Sequence, residues 1–136
     1  MSKFPYTALP TASGIPVLKP LVGIRLGFKK THKITPKILA LIDSGADVCF
    51  CDSNIALWLG VNFKNKKTFG FTAADNQTFQ AVKETIALYV DGKEYECDFY
   101  FSDTLPRHTP IILGQKGFFD HFKVSFDLKN NEIELQ

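Results

Sequence analysis

Apolar positions along this chain fall in short runs, many of them alternating with polar ones, and the runs are separated by Gly, Pro, Asn and Asp. Alternation marks a strand with one covered face, and a short unbroken apolar run marks a strand covered on both faces. Val17–Phe28 alternates well through Leu21-Val22-Gly23-Ile24-Arg25-Leu26, and Lys37–Asp43 is apolar nearly throughout, so both read as strands. VCFC, ending at Cys51, follows a turn at Gly45 and reads as another. Asp52–Gly60 changes period. There Ile55, Trp58 and Leu59 fall at helical spacing, with Asp52 or Ser53 as N-cap and Gly60 as the stop. One short helix is expected, with Trp58 in the core.

Two hairpins follow. The polar stretch AADNQ lies between Phe71 and Phe79 and predicts a hairpin with an exposed tip. Asp91-Gly92, set between two β-rich runs, is a firmer turn signal. Ser102–Thr109 reads as a loop, PIILG ending at Gly114 as a short strand, and QKGFFDHF (115–122) as a helical turn or two. The chain closes with a hairpin around Asn130-Asn131. About eight to ten strands against one clear helix define an all-β fold, a closed or sandwich-like barrel.

The length of 136 residues fits one domain. Pro5, Pro10, Pro16 and Pro20 mark the first part, 1–19, as a Pro-rich N-terminal arm, leaving 20–136 as the folded domain. Sixteen basic residues against fourteen acidic ones give a formal charge of +2, which offers no footing for nucleic acid or an anionic membrane. The one basic cluster, Lys64 to Lys67, reads as a solvated loop. The N-terminus lacks the apolar core of a secretory signal, and no run approaches the ~20 apolar residues of a membrane helix. Cys49, Cys51 and Cys97 read as small buried hydrophobes in a reducing compartment, so a cytoplasmic location is expected. No spacing suits a metal site or a phosphate loop, and no cofactor is expected.

The chemistry centres on LIDSGAD, Leu41–Asp47. Asp-Ser-Gly alone is ordinary turn sequence. Here, however, the acid ends a strongly apolar strand, and a carboxylate so placed is costly to bury without a partner. About seventy residues on, IILG repeats an apolar run ended by glycine, and the hairpin between them carries a polar tip. In this order and spacing, LIDSGAD, the hairpin around TAADNQTF (Thr72–Phe79) and IILGQKGFFDHF (Ile111–Phe122) resemble the retropepsin-like aspartic proteases. The tail VSFDLKNNEIEL resembles the closing strands of their ubiquitin-shuttle-type branch, and the resemblance runs from about Pro20 to Leu135.

The resemblance implies a single-domain retropepsin-like acid protease barrel with one or two short helices, active as a homodimer on polypeptide substrate. Two carboxylates a few ångströms apart share one proton, so one can activate water while the other protonates. This chain has one Asp-Ser/Thr-Gly; Asp127 is followed by Leu and Lys and is rejected as a second catalytic acid. Catalytic Asp43 must therefore come from each of two chains. By the same resemblance Ser44 braces the two acid loops, Gly45 lets backbone approach dyad and substrate, and Ala46 leaves room for the peptide. Asp47 holds substrate backbone or accepts local N–H groups. Ala73, Ala74, Asp75, Asn76 and Gln77 form the tip of a flap, and Gly114 lets its strand pass close behind the acid loop.

The chain departs from the family pattern at Gln115-Lys116 and at the hairpin tip, which lacks glycine; either Ala73 and Ala74 serve there instead or the flap is stiffer. The rival reading is a peptide-binding or dimerisation module that kept the barrel but cleaves little.

Overall fold

The computed structural model describes residues 2–73, 75–105 and 109–136. Its strands are β1 (Ser2–Phe4), β2 (Thr7–Leu9), β3 (Val17–Lys19), β4 (Leu21–Phe28), β5 (Lys33–Ile34), β6 (Ile38–Ile42) and β7 (Cys49–Asp52). After the helix α1 (Ser53–Leu59) come β8 (Thr68–Thr72), β9 (Thr78–Val90), β10 (Lys93–Ser102), β11 (Ile111–Leu113), β12 (Val124–Asp127) and β13 (Glu132–Leu135).

Six strands close into a ring in the order β4-β6-β11-β7-β10-β9, with β9 returning to β4. The ring is mixed: β6–β11 and β7–β10 run parallel, the other neighbours antiparallel. Closure depends on the length of β9. Its start pairs with β8, Val82–Val90 pair with β10, and on their other side Ala87–Tyr89 reach round to Gly27–Arg25 of β4. A closed sheet leaves few unpaired edges. Within 1–19, β1 pairs with β13 in a three-stranded sheet completed by β12, while β2 and β3 form a separate hairpin.

The core follows from period two. Ala40 and Ile42 of β6, Cys49 and Cys51 of β7, and Cys97, Phe99 and Phe101 of β10 all point inward and are buried. Ile24 and Leu26 of β4, Leu88 of β9 and Ile111 and Leu113 of β11 fill the same space. Among the described residues all three cysteines are free and buried, as expected of small apolar side chains. Burial pushes the Cys51 thiol well above its usual range. Cys97 is raised chiefly by its hydrogen bond to Cys49 and then by burial.

Turn chemistry fixes the connections. Asp91 and Gly92 take φ of 52° and 78°, the mirror-image turn that matches strand twist. Asp52 caps α1, its Oδ1 accepting from Asn54 N–H at 2.8 Å, and Gly60 ends it at φ 87°. The segment 115–122 departs from expectation. It forms wide turns rather than helix, with Phe119 N–H donating to Gly114 C=O and Asp120 N–H to Gln115 C=O. Gly117, at φ 109°, turns the chain away from helical geometry.

Trp58 also corrects the sequence reading. The helix buries Ser53, Ala56 and Leu59, and Trp58 is 51% exposed beneath the Lys33 ammonium, 5.6 Å from the ring centroid. Leu59→Ala should therefore cost about 2–5 kcal/mol, read as a lower urea midpoint. Trp58→Ala should cost less than about 1 kcal/mol. A comparable loss at both positions would place the indole in the core after all.

Candidate active site

Asp43 stands one residue beyond β6, on the face opposite the core. Parity explains this: Ala40 and Ile42 point inward, so Leu39, Leu41 and Asp43 share the outer face. Two backbone ties hold the acid's residue in place. Its N–H donates to Leu113 C=O at 3.0 Å, and its C=O accepts from Ala46 N–H at 3.1 Å. Its side chain closes a local turn, Oδ1 accepting from Gly45 N–H at 2.9 Å. Asp43 as a residue is half-buried, and its carboxyl group is held on backbone that belongs to the barrel.

Behind this turn passes β11. Gln115 N–H donates to Ala46 C=O at 2.8 Å and Lys116 N–H to Asp47 C=O at 3.0 Å. Between these ties the backbones nearly touch: a Cβ on Gly114 would lie 2.2 Å from the Val48 carbonyl oxygen and 2.7 Å from that of Ala46. Gly114 is thus required by close approach, not by an unusual φ. At Gly45 a Cβ would meet Asp43 Oδ1 at 3.2 Å, a tighter fit than usual but not a clash of backbones. Ser44 and Asp47 are exposed at the turn and Ala46 is half-buried. Gln115 Nε2 donates to Ser44 C=O at 2.5 Å, a brace within the chain that the sequence reading did not anticipate.

The other predicted residues lie on the β8–β9 hairpin. At its tip Ala73 N–H donates to Gln77 C=O at 2.8 Å, and Asn76 N–H to Ala73 C=O at 3.0 Å. Asp75 Oδ1 accepts from Gln77 N–H at 3.1 Å. Ala74 lies outside the described residues. Asn76 takes the left-handed conformation at this tip, φ 65°, which asparagine tolerates better than most residues.

The hairpin rests on aromatic rings that sequence reasoning left unassigned. Phe50, pointing outward from β7, meets Phe71 edge-on at 4.9 Å and Phe79 at 5.5 Å. Phe71 stacks on Phe79 at 5.6 Å and stands edge-on to Tyr100 at 5.2 Å. Alternation in VCFC carried the signal: with both cysteines inward, Phe50 must face out. Among the described residues no three His, Cys, Asp or Glu side chains converge as metal ligands. Asp127 accepts from Asn130 in the β12–β13 turn, apart from the acid loop.

Closed six-stranded ring, acid-bearing turn and long hairpin together define the fold of the retropepsin-like aspartic proteases. A retropepsin-like aspartic protease from Rickettsia conorii superposes with a TM-score of 0.60 at 18% identity, covering 98% of each chain. EIAV protease complexed with the inhibitor HBY-793 superposes with a TM-score of 0.54 at 14% identity, over 71% of this chain and 82% of that one. No family model and no curated protein sequence matches the chain.

Gly114→Ala tests the close crossing. It should cost about 3 kcal/mol and disturb the Asp43 turn, whereas Gly45→Ala should be milder. Urea midpoints for both, with amide exchange at Asp43, give the comparison; equal midpoints would mean that the two backbones are not in contact.

Proposed function

We propose that the chain is one half of an aspartic endopeptidase, with Asp43 of two copies forming the catalytic pair. The observation that carries this reading is Asp43 itself: a carboxylate fixed by backbone at the end of an apolar strand, within a retropepsin fold. A single carboxylate can take a proton or give one, but peptide hydrolysis asks for both in one step. Two such groups across a twofold axis share one proton, because charges so close do not both ionise readily.

The ionised Asp43 removes a proton from a water held between the pair, and the water oxygen attacks the peptide carbonyl carbon. The protonated partner gives its proton to the carbonyl oxygen. On collapse the C–N bond breaks, the newly protonated Asp43 gives its proton to the leaving nitrogen, and its ionised partner takes one back from a hydroxyl of the tetrahedral diol, restoring the pair with its single proton. The β8–β9 hairpin, with Ala73, Asp75, Asn76 and Gln77 at its tip, would close over the peptide and exclude water. Leu41 and Ile112, half-buried beside the acid, favour apolar side chains flanking the cut.

Asp43→Asn should lower peptide cleavage about a hundred-fold or more while leaving the urea midpoint and the molar mass in solution unchanged. Cleavage undiminished in that variant would end the reading. A strictly monomeric chain that cleaves nothing would favour the binding module instead.

A further inference from the structure

The face that carries Asp43 continues as one row of paired residues. Leu41 pairs with Ile112, Ile112 with Phe50, Phe50 with Tyr100, and Tyr100 with Lys83. Paired residues send their side chains to the same side of a sheet. The row therefore runs from beside the acid, across five strands, to an ammonium group. On the outermost strand Thr68 pairs with Val82, and one further step of that register brings Lys67 opposite Lys83.

Both ammonium groups gather at one ring. Lys67 Nζ lies 5.1 Å and Lys83 Nζ 6.0 Å from the Phe69 centroid, and Phe69 stands edge-on to Tyr100 at 5.4 Å. Among the described residues neither lysine forms an ion pair. Lys66 of the same basic run is taken by Glu84, whose side chain belongs to the opposite face of β9. Asp98, one pair further along the lysine face, accepts from Thr85 Oγ1 at 2.7 Å. The ring offsets part of the repulsion between the two cations. An incoming carboxylate would offset the rest, and both side chains are exposed to receive one.

We infer that Lys67 and Lys83 form a subsite for an acidic side chain of a bound polypeptide, at the far end of an apolar row that starts at Asp43. The inference rests on the peptide-cleaving reading of the same face. Four inter-strand steps span about 19 Å. That length follows the curved outer face of the sheet, so with an extended peptide advancing ~3.3–3.6 Å per residue the acid falls within roughly six residues of the cut bond. A twofold pair of chains repeats the row, so an acid on either side of the cut would be recognised.

The test uses the 136-residue chain carrying Asp43→Asn, which retains the cleft without turnover. The probes are labelled synthetic peptides with one shared apolar centre and Glu, Gln or Lys about five residues from it. By fluorescence anisotropy at low salt, the Glu peptide should bind about ten-fold more tightly than the Gln peptide. The gap should close with rising salt and in Lys67→Gln/Lys83→Gln. Equal affinities, a gap that survives the double substitution, or no binding of any peptide would overturn the inference. Cleavage by the unsubstituted chain is scored separately. Selective binding without cleavage would sink the protease reading and leave the subsite standing; cleavage of all three peptides with equal affinity would do the reverse.

Discussion

The crossing of two backbones at Gly114 is the contact on which the rest of the site depends. Strand β11 is three residues long, yet it pairs with β6 on one side and β7 on the other. It is the wedge that turns those strands into neighbours in a closed ring. Where it ends, the chain passes so near the Ala46 and Val48 carbonyls that no side chain fits, and it donates hydrogen bonds to the Asp43–Asp47 turn as it goes. The position of the acid is thus a property of the barrel. A loop held only by its own side chains would open at low energetic cost, whereas this one opens only with the ring.

The same strands do two jobs on their two faces. In ILALID, Ala40 and Ile42 fill the core while Leu39, Leu41 and Asp43 look outward. In β7, Cys49 and Cys51 fill the core while Phe50 supports the hairpin. That is why an acid stands at the end of what reads as an unbroken apolar run. The run is two interleaved sets, an inner one that fills the core and an outer one that leads to the acid. Leu39, in the outer set, remains 48% exposed.

Features governed by local chemistry were legible in the sequence: the Asp52 and Gly60 caps, the Asp91-Gly92 turn, the Asp-Ser-Gly turn and the glycine after Ile111–Leu113. Each depends on residues a few positions apart, which a sequence displays directly. Features governed by what lies opposite were not. Trp58 has the right spacing for a core residue, but the helix is rotated so that Ala56 and Leu59 meet the barrel. The segment 115–122 has the composition of a helical turn, but it must fit Gly117 against Cys97, where a Cβ would sit 2.6 Å from the sulfur. Lys67 is exposed, as a solvated run implies, but only the register shows that it lies near Lys83 and shares a ring with it.

On the proposed reading, one geometric fact links chemistry to recognition. The row from Leu41 to Lys83 is continuous only because β6, β11, β7, β10 and β9 are neighbours, and that order mixes parallel with antiparallel pairs. Parallel neighbours cannot be joined by a tight hairpin, so distant parts of the sequence must meet there. The acid, the aromatic floor and the lysines come from five separated segments. The contacts that close the ring also fix the distance from the reacting carboxylate to the charged end of the row. A peptide would then be read by a sheet whose spacing is set by its hydrogen bonds, and only the hairpin above it would be left to move.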